Sequence, residues 1–410
     1  MQKPKVVLGV SGGIAAYKAC ELLRRLTESG HDVRVVPTES SLHFVGAATW
    51  SALSGHTVST EVWDDVHEVP HVRIGQGADL VVVAPATADT LARAAHGLAD
   101  DLLTNTLLTA RCPVVFAPAM HTEMWEHPAT QENVATLRRR GAVVIEPAVG
   151  RLTGVDTGKG RLPDPGEIFE VCRRVLSRGP AAPDLAGRHV VISAGGTREP
   201  LDPVRYLGNR SSGKQGYALA RTAVARGARV TLIEANTGLP DPAGADVLRV
   251  GTALQLREAV TKAAADADVV VMAAAVADFR PAEYAQGKIK KKDGQEPAAV
   301  ALVRNPDILA EVAGERARPE QIVVGFAAET DNVLANGREK LRRKGCDLLV
   351  VNEVGERKTF GSEENEAVVL SADGGEILVP HGPKEDLADT VWDQVASRFG
   401  QISHSPLRGV

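Results

Sequence analysis

Short apolar runs separated by amphipathic stretches fill both halves of the chain. In the first half KVVLGV leads into a stretch from about Ala15 to Ser29, where Ala19, Leu22, Leu23 and Leu26 recur at helical spacing. DVRVVP, ADLVVVAPA, CPVVFAPAM and AVVIEP follow as further strand-like runs. They are apolar at consecutive positions, so both faces are buried, as in a parallel sheet covered by helices on each side. The second half repeats this grammar with HVVISAGG, ARVTLIEA, ADVVVMAAAVADF, QIVVGFAAE and CDLLVVNEV. Near its end AVVLSADGGEILVP places two strands around a Gly-rich turn, a hairpin signal. The pattern predicts an α/β protein of two doubly wound, Rossmann-like parallel-sheet domains in tandem. Between them SRGPAAPDLAG, from Ser177 to Gly187, has the Pro, Ala and Gly content of a linker. The boundaries follow: a domain over 1–178, a linker over 179–186 and a domain over 187–410. The closing QISHSPLRGV has no periodicity and is expected to be unstructured.

Composition narrows the class. At 410 residues the chain exceeds what one core usually organises, which agrees with two domains. A net charge of −5 gives no electrostatic case for nucleic acid as a partner, and no RNA-binding aromatic signature occurs. No apolar run approaches the roughly 20 residues a bilayer requires, so no membrane partner is expected. The chain opens directly into KPKVVLGV without a signal peptide, and a cytoplasmic location is the expectation. Cys20, Cys112, Cys172 and Cys346 are scattered without a C-x-x-C pair, which argues against structural zinc and a disulfide framework.

In doubly wound sheets ligands sit beyond the carboxyl ends of the strands, so the chemistry belongs in the loops that follow them. The first is GVSGGIAAYK, from Gly9 to Lys18. Gly12 and Gly13 allow backbone amides to approach an anion, Ser11 adds a hydroxyl, and a helix N-terminus follows. It fits a mononucleotide phosphate cradle or an ordinary tight turn, and matches neither G-x-G-x-x-G nor a P-loop. The second strand ends in Pro37, Thr38 and Glu39, without the clean acidic residue that suits a ribose diol. HEVPH, from His67 to His71, spells the zinc-protease H-E-x-x-H, but that motif needs a helix and Pro70 disfavours one at Val69. Zinc is rejected there, and His71 remains as a single functional histidine or a solvated loop residue. APATADT and APAMHTEMWEHP each follow a strand and combine Pro with hydroxyl, acid or His side chains, which suggests a shared pocket. GRLTGVDTGKGR, from Gly150 to Arg161, holds four glycines in twelve residues and reads as a passive loop or a mobile flap.

In the second half GNRSSGKQG begins like a P-loop, G-x-x-x-x-G-K, but Gln215 stands where a Mg²⁺-binding hydroxyl belongs. A dozen residues also separate it from the preceding strand. What survives is an anion-binding turn of Ser211, Ser212 and Gly213 ahead of a helix starting near Lys214. AAAVADF ends a strand with Asp278, placed to hold a hydrated Mg²⁺. GKIKKK, from Gly287 to Lys292, packs four lysines into six residues. Beside an acidic metal residue and an anion turn it reads as a triphosphate clamp.

These residues carry a resemblance. Through SGGIAAYK, the His of HVRIGQGADL, PATAD and PAMHTEMW, the first half resembles the homo-oligomeric flavin-containing cysteine decarboxylases. Through SAGGTREPLDPVRYLGNRSSGK, AAAVADFRP, KIKKK, NPDIL and GFAAET, the second half resembles the phosphopantothenate–cysteine ligases. In this order, over nearly the whole chain, they resemble the bifunctional phosphopantothenoylcysteine decarboxylase/phosphopantothenate–cysteine ligases of bacterial coenzyme A synthesis. NRSSGK then belongs to a CTP-dependent ligase, and its Walker-like spelling is coincidence.

The resemblance implies the partners and the chemistry. 4′-Phosphopantothenate attacks the α-phosphorus of CTP to give an acyl-cytidylate, and L-cysteine displaces CMP to form the amide. An FMN-dependent decarboxylation through a thioaldehyde then yields 4′-phosphopantetheine. It implies FMN at Ser11, Gly12, Gly13, Ile14, Thr38, Ser40, Pro85, Ala86, Thr87 and Asp89, with His71 handling protons. The decarboxylase substrate falls to Met120, His121 and Arg161. CTP falls to Ala273, Ala274, Ala275, Asp278, Phe279, Lys288, Asn305, Pro306, Asp307, Ile308, Phe326, Lys340 and Lys344. Asp278 would place Mg²⁺ or Mn²⁺, Lys288 would neutralise phosphate charge, and Asn209 would serve amide formation. It also implies decarboxylase trimers linked by ligase dimers into a dodecamer. Two positions depart from the family pattern: His121 replaces the usual Asn, and Gly154 replaces the flap Cys that donates a proton. A regulatory or partial-reaction flavoprotein half would explain the missing Cys, but not the intact ligase motifs. A nicotinamide dehydrogenase would share the α/β pattern, but neither half has G-x-G-x-x-G.

Overall fold

The computed structural model describes residues 3–58, 60, 70–152, 156–290, 299–329, 332–353 and 362–403. The chain forms two compact units: residues 1–187 with 221–229 and 241–246, and residues 188–220 with 230–240 and 247–410.

The first unit is built on β1 (Lys5–Val10), β2 (Asp32–Pro37), β3 (Leu80–Ala86), β4 (Val114–Pro118) and β5 (Val143–Val144). They pair in parallel in the order β2-β1-β3-β4-β5. Seven consecutive residues of β3 are buried, as expected for a strand covered on both faces. The covering helices are α1 (Ala16–Glu28), α2 (Ala47–Ser54), α3 (Pro70–Gly77), α4 (Ala88–His96), α5 (Leu102–Thr109), α6 (Thr122–Glu126), α7 (Pro128–Arg139) and α8 (Pro165–Arg178). In α1 the predicted stripe Ala19, Leu22, Leu23 and Leu26 is buried. Because β1 has β2 on one side and β3 on the other, the order reverses between β1 and β3 and opens a crevice at their carboxyl ends.

The Gly-rich stretch read as a passive loop or flap is an antiparallel hairpin of β6 (Ala148–Arg151) and β7 (Thr157–Arg161). Gly154 lies outside the described residues. Pro70 opens α3, because the first helical position needs no N–H, while Val69, where Pro70 disfavours a helix, lies outside the described residues. His71 is therefore in a helical first turn and not in a loop, while His67 lies outside the described residues. The segment of linker composition is anchored: Leu185 is buried, and Asp184 accepts from Arg226 Nε at 2.9 Å.

The second unit carries β8 (His189–Gly195), the small pair β9 (Arg198–Pro200) and β10 (Tyr206–Gly208), then β11 (Arg229–Ala235), β12 (Ala245–Val250) and β13 (Val269–Met272), although Arg229, Ala245 and Asp246 at the starts of β11 and β12 count with the first unit. A second small pair, β14 (Phe279–Pro281) and β15 (Leu302–Arg304), precedes β16 (Ile322–Glu329), β17 (Leu348–Glu353), β18 (Glu364–Ser371) and β19 (Glu376–Pro383). The main sheet runs β12-β11-β8-β13-β16-β17-β18-β19. β8, β13, β16 and β17 are parallel neighbours, and β18 and β19 form the predicted antiparallel hairpin. Its helices are α9 (Lys214–Ala225), α10 (Ala253–Ala264), α11 (Ile308–Gly314), α12 (Val333–Lys344) and α13 (Lys384–Ser403). The start of the tail expected to be unstructured, residues 401–403, is the last turn of α13, and 404–410 lie outside the described residues. The long apolar run at 267–279 stops being a strand at Met272. From there the small alanines let the backbone turn aside: Ala275 N donates to Gly195 O at 2.8 Å and Ala277 N to Thr197 Oγ1 at 2.9 Å.

Candidate active sites

At the β1/β3 crevice the Gly-rich turn is braced from the side. Ser11 Oγ donates to Pro85 O at 2.7 Å and accepts from Thr87 N at 2.9 Å. Its hydroxyl proton is thus committed to joining two loops, and it has none to give a phosphate. The amides of Gly12, Gly13 and Ile14 donate to no acceptor among the described residues, so they supply the donors of an anion cradle. A Cβ on Gly12 would stand 2.4 Å from Ser40 Oγ and 2.7 Å from Ser40 Cβ. Only glycine allows that approach, which brings in Ser40 and, 3.1 Å from its hydroxyl, Thr38 Oγ1. Thr87 caps α4, and Asp89 in its first turn pairs with Arg93 at 2.8 Å. Ile14 stands 66% exposed at the rim. Free amides, two hydroxyls and a glycine-only contact fit a bound mononucleotide phosphate such as that of a flavin.

The same scaffold reaches the second group of predicted residues. Ala119 N donates to Ala86 O at 3.1 Å, and Met120 N donates to Gly160 O at 2.9 Å. Met120, His121 and the β6–β7 hairpin with Arg161 are therefore one assembly, tied to the flavin-side loop by backbone hydrogen bonds. His121 precedes α6 and stays exposed without capping it. Lys18, which sequence reasoning missed, belongs with Arg161: burial and the neighbouring Arg161 charge push its ammonium below the ordinary lysine range. His71 makes no hydrogen bond to this assembly among the described residues. Its carbonyl accepts from Thr109 Oγ1 at 2.8 Å, while its Nδ1 is buried without a partner among those residues. An unpaired buried ring nitrogen is available for proton transfer.

The second site is a cleft of about 770 Å³ at the carboxyl ends of β13, β16 and β17, lined also by the Asn209–Gly216 segment that follows β8. In the order β12-β11-β8-β13-β16 the chain adds strands first on one side of β8 and then on the other, so the cleft occupies a switch point between β8 and β13. Its walls include Asn209, Ser211, Ser212 and Gly213 with Ala273, Ala274, Ala275, Asp278 and Phe279. Asn305, Pro306, Asp307, Ile308, Phe326, Lys340 and Lys344 complete the lining. Asn209 Nδ2 donates to Val276 O at 3.1 Å, and Asn305 Nδ2 to Ala277 O at 2.8 Å, so two amides brace the alanine turn. Lys340 Nζ lies 2.5 Å from Glu329 Oε1, and Lys344 pairs with Asp307. Asp278 is exposed, and among the described residues no group of three metal-binding side chains forms. With Asp307 paired to Lys344, Asp278 is the carboxylate that suits Mg²⁺, which keeps its waters and is carried largely by substrate phosphates.

Lys288 is not on the cleft wall, and Lys291 and Lys292 lie outside the described residues. Its neighbour is nevertheless held firmly. Buried Asp202 accepts from the amides of Val204, Arg205 and Ile289, and Arg205 donates to both Asp202 and Ile289 O. The Arg205 guanidinium above all holds the Asp202 carboxyl well below the usual carboxylate range.

Gln215 has a structural task. Its Nε2 donates to Lys384 O at 3.0 Å and its Oε1 accepts from Asn365 Nδ2 at 3.0 Å, fastening the start of α9 to α13 and β18. Lys384, Asn365, Asn352 and Arg343 also line the cleft and went unnoticed in the sequence. They follow strands and helices far along the chain, with no local motif, so only the fold collects them.

Residues 1–177 match the flavoprotein family, and residues 185–399 match the DNA/pantothenate metabolism flavoprotein C-terminal domain. The coenzyme A biosynthesis bifunctional protein CoaBC of Mycolicibacterium smegmatis is 62% identical over 405 residues, covering 96% of this chain and 98% of its own. Its Bacillus subtilis counterpart is 43% identical over 396 residues, covering 96% of each. A solved C-terminal domain of a coenzyme A biosynthesis bifunctional protein CoaBC is 33% identical, covers 54% of this chain and 100% of its own, and has a TM-score of 0.46. These relatives do not favour a merely regulatory flavoprotein half. With both enzyme domains matched in sequence and nearly the whole length aligned, the chain belongs to the family of bifunctional coenzyme A biosynthesis proteins.

Proposed function

We propose that this enzyme joins 4′-phosphopantothenate to L-cysteine at the expense of CTP and then decarboxylates the product to 4′-phosphopantetheine. The ligase work falls to residues 187–410, the decarboxylase work to residues 1–178, and 179–186 connect them. The observation that carries this reading is the switch-point cleft, where Asn209, Asp278, Asn305 and the α12 pair Lys340 and Lys344 converge from four separate segments. A carboxylate is a poor acyl donor, so the substrate carboxylate first attacks the α-phosphorus of CTP and pyrophosphate leaves. The cysteine amine then attacks the acyl carbon, CMP leaves and the amide forms. Lys340 and Lys344 would exchange their carboxylate partners for the triphosphate, Asp278 would hold Mg²⁺ or Mn²⁺ among the phosphates, and Asn209 would serve amide formation.

In the decarboxylase half the amides of Gly12 to Ile14 and the hydroxyls of Thr38 and Ser40 would hold the FMN phosphate, flanked by Pro85, Ala86, Thr87 and Asp89. The flavin supplies, when bound, the two-electron acceptor that turns the cysteinyl thiol into an electron sink and then returns those electrons. Met120, His121 and Arg161 would orient the substrate, and His71 would hold or move a proton at its ring. The family's dodecamer of decarboxylase trimers and ligase dimers, and a cytoplasmic location, complete the proposal.

Mass spectrometry after incubation with 4′-phosphopantothenate, CTP and cysteine tests the whole sequence. The expected product is 4′-phosphopantetheine, even though Gly154 has no side chain to donate a proton. An oxidised enethiol accumulating instead would overturn full turnover. Asp156, exposed beside β7, is the nearest acid by sequence, and an ordered water is the rival donor. An unchanged rate in Asp156→Asn assigns the proton to water. Separately, Lys288→Gln should slow pyrophosphate release roughly 10- to 100-fold, the cost of one lost charge-assisted contact. Wild-type release would show that Lys288 stays outside the site.

A further inference from the structure

The β6–β7 hairpin approaches the Met120–Thr122 loop closely at two glycines of β7. A Cβ on Gly160 would stand 2.2 Å from Met120 O, and one on Gly158 would stand 2.2 Å from Thr122 Oγ1. Between these glycines Lys159 is anchored elsewhere. Its Nζ lies 2.9 Å from Glu146 Oε2 and 2.9 Å from Asp246 Oδ1, a residue of the same compact unit. Glu146, only 14% exposed at its side chain, is held in turn by Arg138 at 2.7 Å. Arg138 also donates to Val144 O at the end of β5, so the chain of contacts ends on the sheet itself.

We infer that Lys159 is a positioning residue of the decarboxylase half: pinned between Glu146 and Asp246, it seats β7 so that Gly158 and Gly160 press the hairpin onto the Met120–Thr122 loop. The inference rests on the reading that Met120 and His121 face the decarboxylase substrate. An ammonium shared by two carboxylates, one of them largely buried, fixes a strand more firmly than an exposed pair, because removing it leaves Glu146 short of a partner. The direction of titration agrees. Against the cost of burial, Arg138 and Lys159 hold the Glu146 carboxyl below its usual range, and Glu146 and Asp246 hold the Lys159 ammonium above its own.

The test uses the full-length, flavin-loaded enzyme. Lys159→Met should raise KM for phosphopantothenoylcysteine roughly tenfold, the scale expected when a substrate-facing loop shifts slightly. Flavin absorbance and pyrophosphate release should not change. Without substrate, an Asp-directed protease should cut before Asp156 several-fold faster than in wild type, and Lys159→Arg should restore both KM and resistance. If Lys159→Met fails to fold, Asp246→Asn keeps the Lys159–Glu146 pair and should show a smaller rise in cleavage. Wild-type cleavage in every folded variant, or a fall in kcat with KM and cleavage unchanged, overturns the inference. Because cleavage needs no turnover, a wild type that fails to decarboxylate would sink the functional reading and leave this result standing on its own.

Discussion

Asn209→Asp should still release pyrophosphate from CTP while making less than about one-hundredth of the wild-type amide, a loss typical of removing one donor from a transition-state site. Asn209 Nδ2 donates to Val276 O at 3.1 Å, so its amide sits on the alanine turn that forms one wall of the cleft. A carboxylate of the same shape has no proton for that carbonyl and places two like dipoles in contact. It also sets a negative charge where oxyanion character builds as the cysteine amine attacks. On the proposed reading, activation of the carboxylate would depend on charge at the triphosphate, which Lys340, Lys344 and a metal at Asp278 would supply, and none of these is altered. The acyl-cytidylate should therefore accumulate and be seen directly by mass spectrometry. Equal loss of pyrophosphate release and amide would refute the separation of roles and assign Asn209 to activation as well.

Gly12→Ala should leave a protein that purifies nearly colourless where the wild type is yellow. The added methyl group would stand 2.4 Å from Ser40 Oγ, 2.7 Å from its Cβ and 3.1 Å from its backbone carbon. The hydroxyl can rotate away, but the Cβ and backbone cannot, so the Thr38–Ser40 turn must move off the Gly-rich loop. Overpacking of this kind costs about 1–3 kcal/mol, or roughly 5- to 150-fold in flavin affinity. Decarboxylation should fall with flavin content, while CTP-dependent amide formation stays at the wild-type rate. Gly13→Ala is the control, because its Cβ would meet only Thr87 Cγ2, at an ordinary 3.8 Å. Flavin titration separates the two variants, and equal affinity in both would remove the argument from Ser40.

The two outcomes differ in how far the sequence alone foresaw them. Consecutive apolar residues in VVVA and VVVM identify strands buried on both faces, because only a two-sided sheet accepts them, and the doubly wound class follows locally. The ligase motifs likewise single out Asn209, Asp278 and Asn305 before any coordinates, and all three line one cleft. Other readings failed where a residue's role depends on distant partners. His71 looked like a loop residue and sits in the first turn of a helix, since the proline ring that obstructs an interior position suits the first one. The alanines after Met272 looked like more strand, but small side chains bury too little to keep the backbone in a ladder when Gly195 and Thr197 offer hydrogen bonds to the side.

By itself, then, the sequence determined the alternation of strands and helices, the boundary region and the loops that carry chemistry, because each depends on residues near one another along the chain. Only the tertiary structure decided that Gln215 is a clasp between α9, α13 and β18 and no metal ligand, that Lys384 and Asn365 wall the cleft, and that Ser11 spends its proton on Pro85. Those partners lie 74 to 169 positions away. Hydrogen bonds form wherever the packed sheets bring donor and acceptor to about 3 Å, and no local pattern of residue types records where that will be.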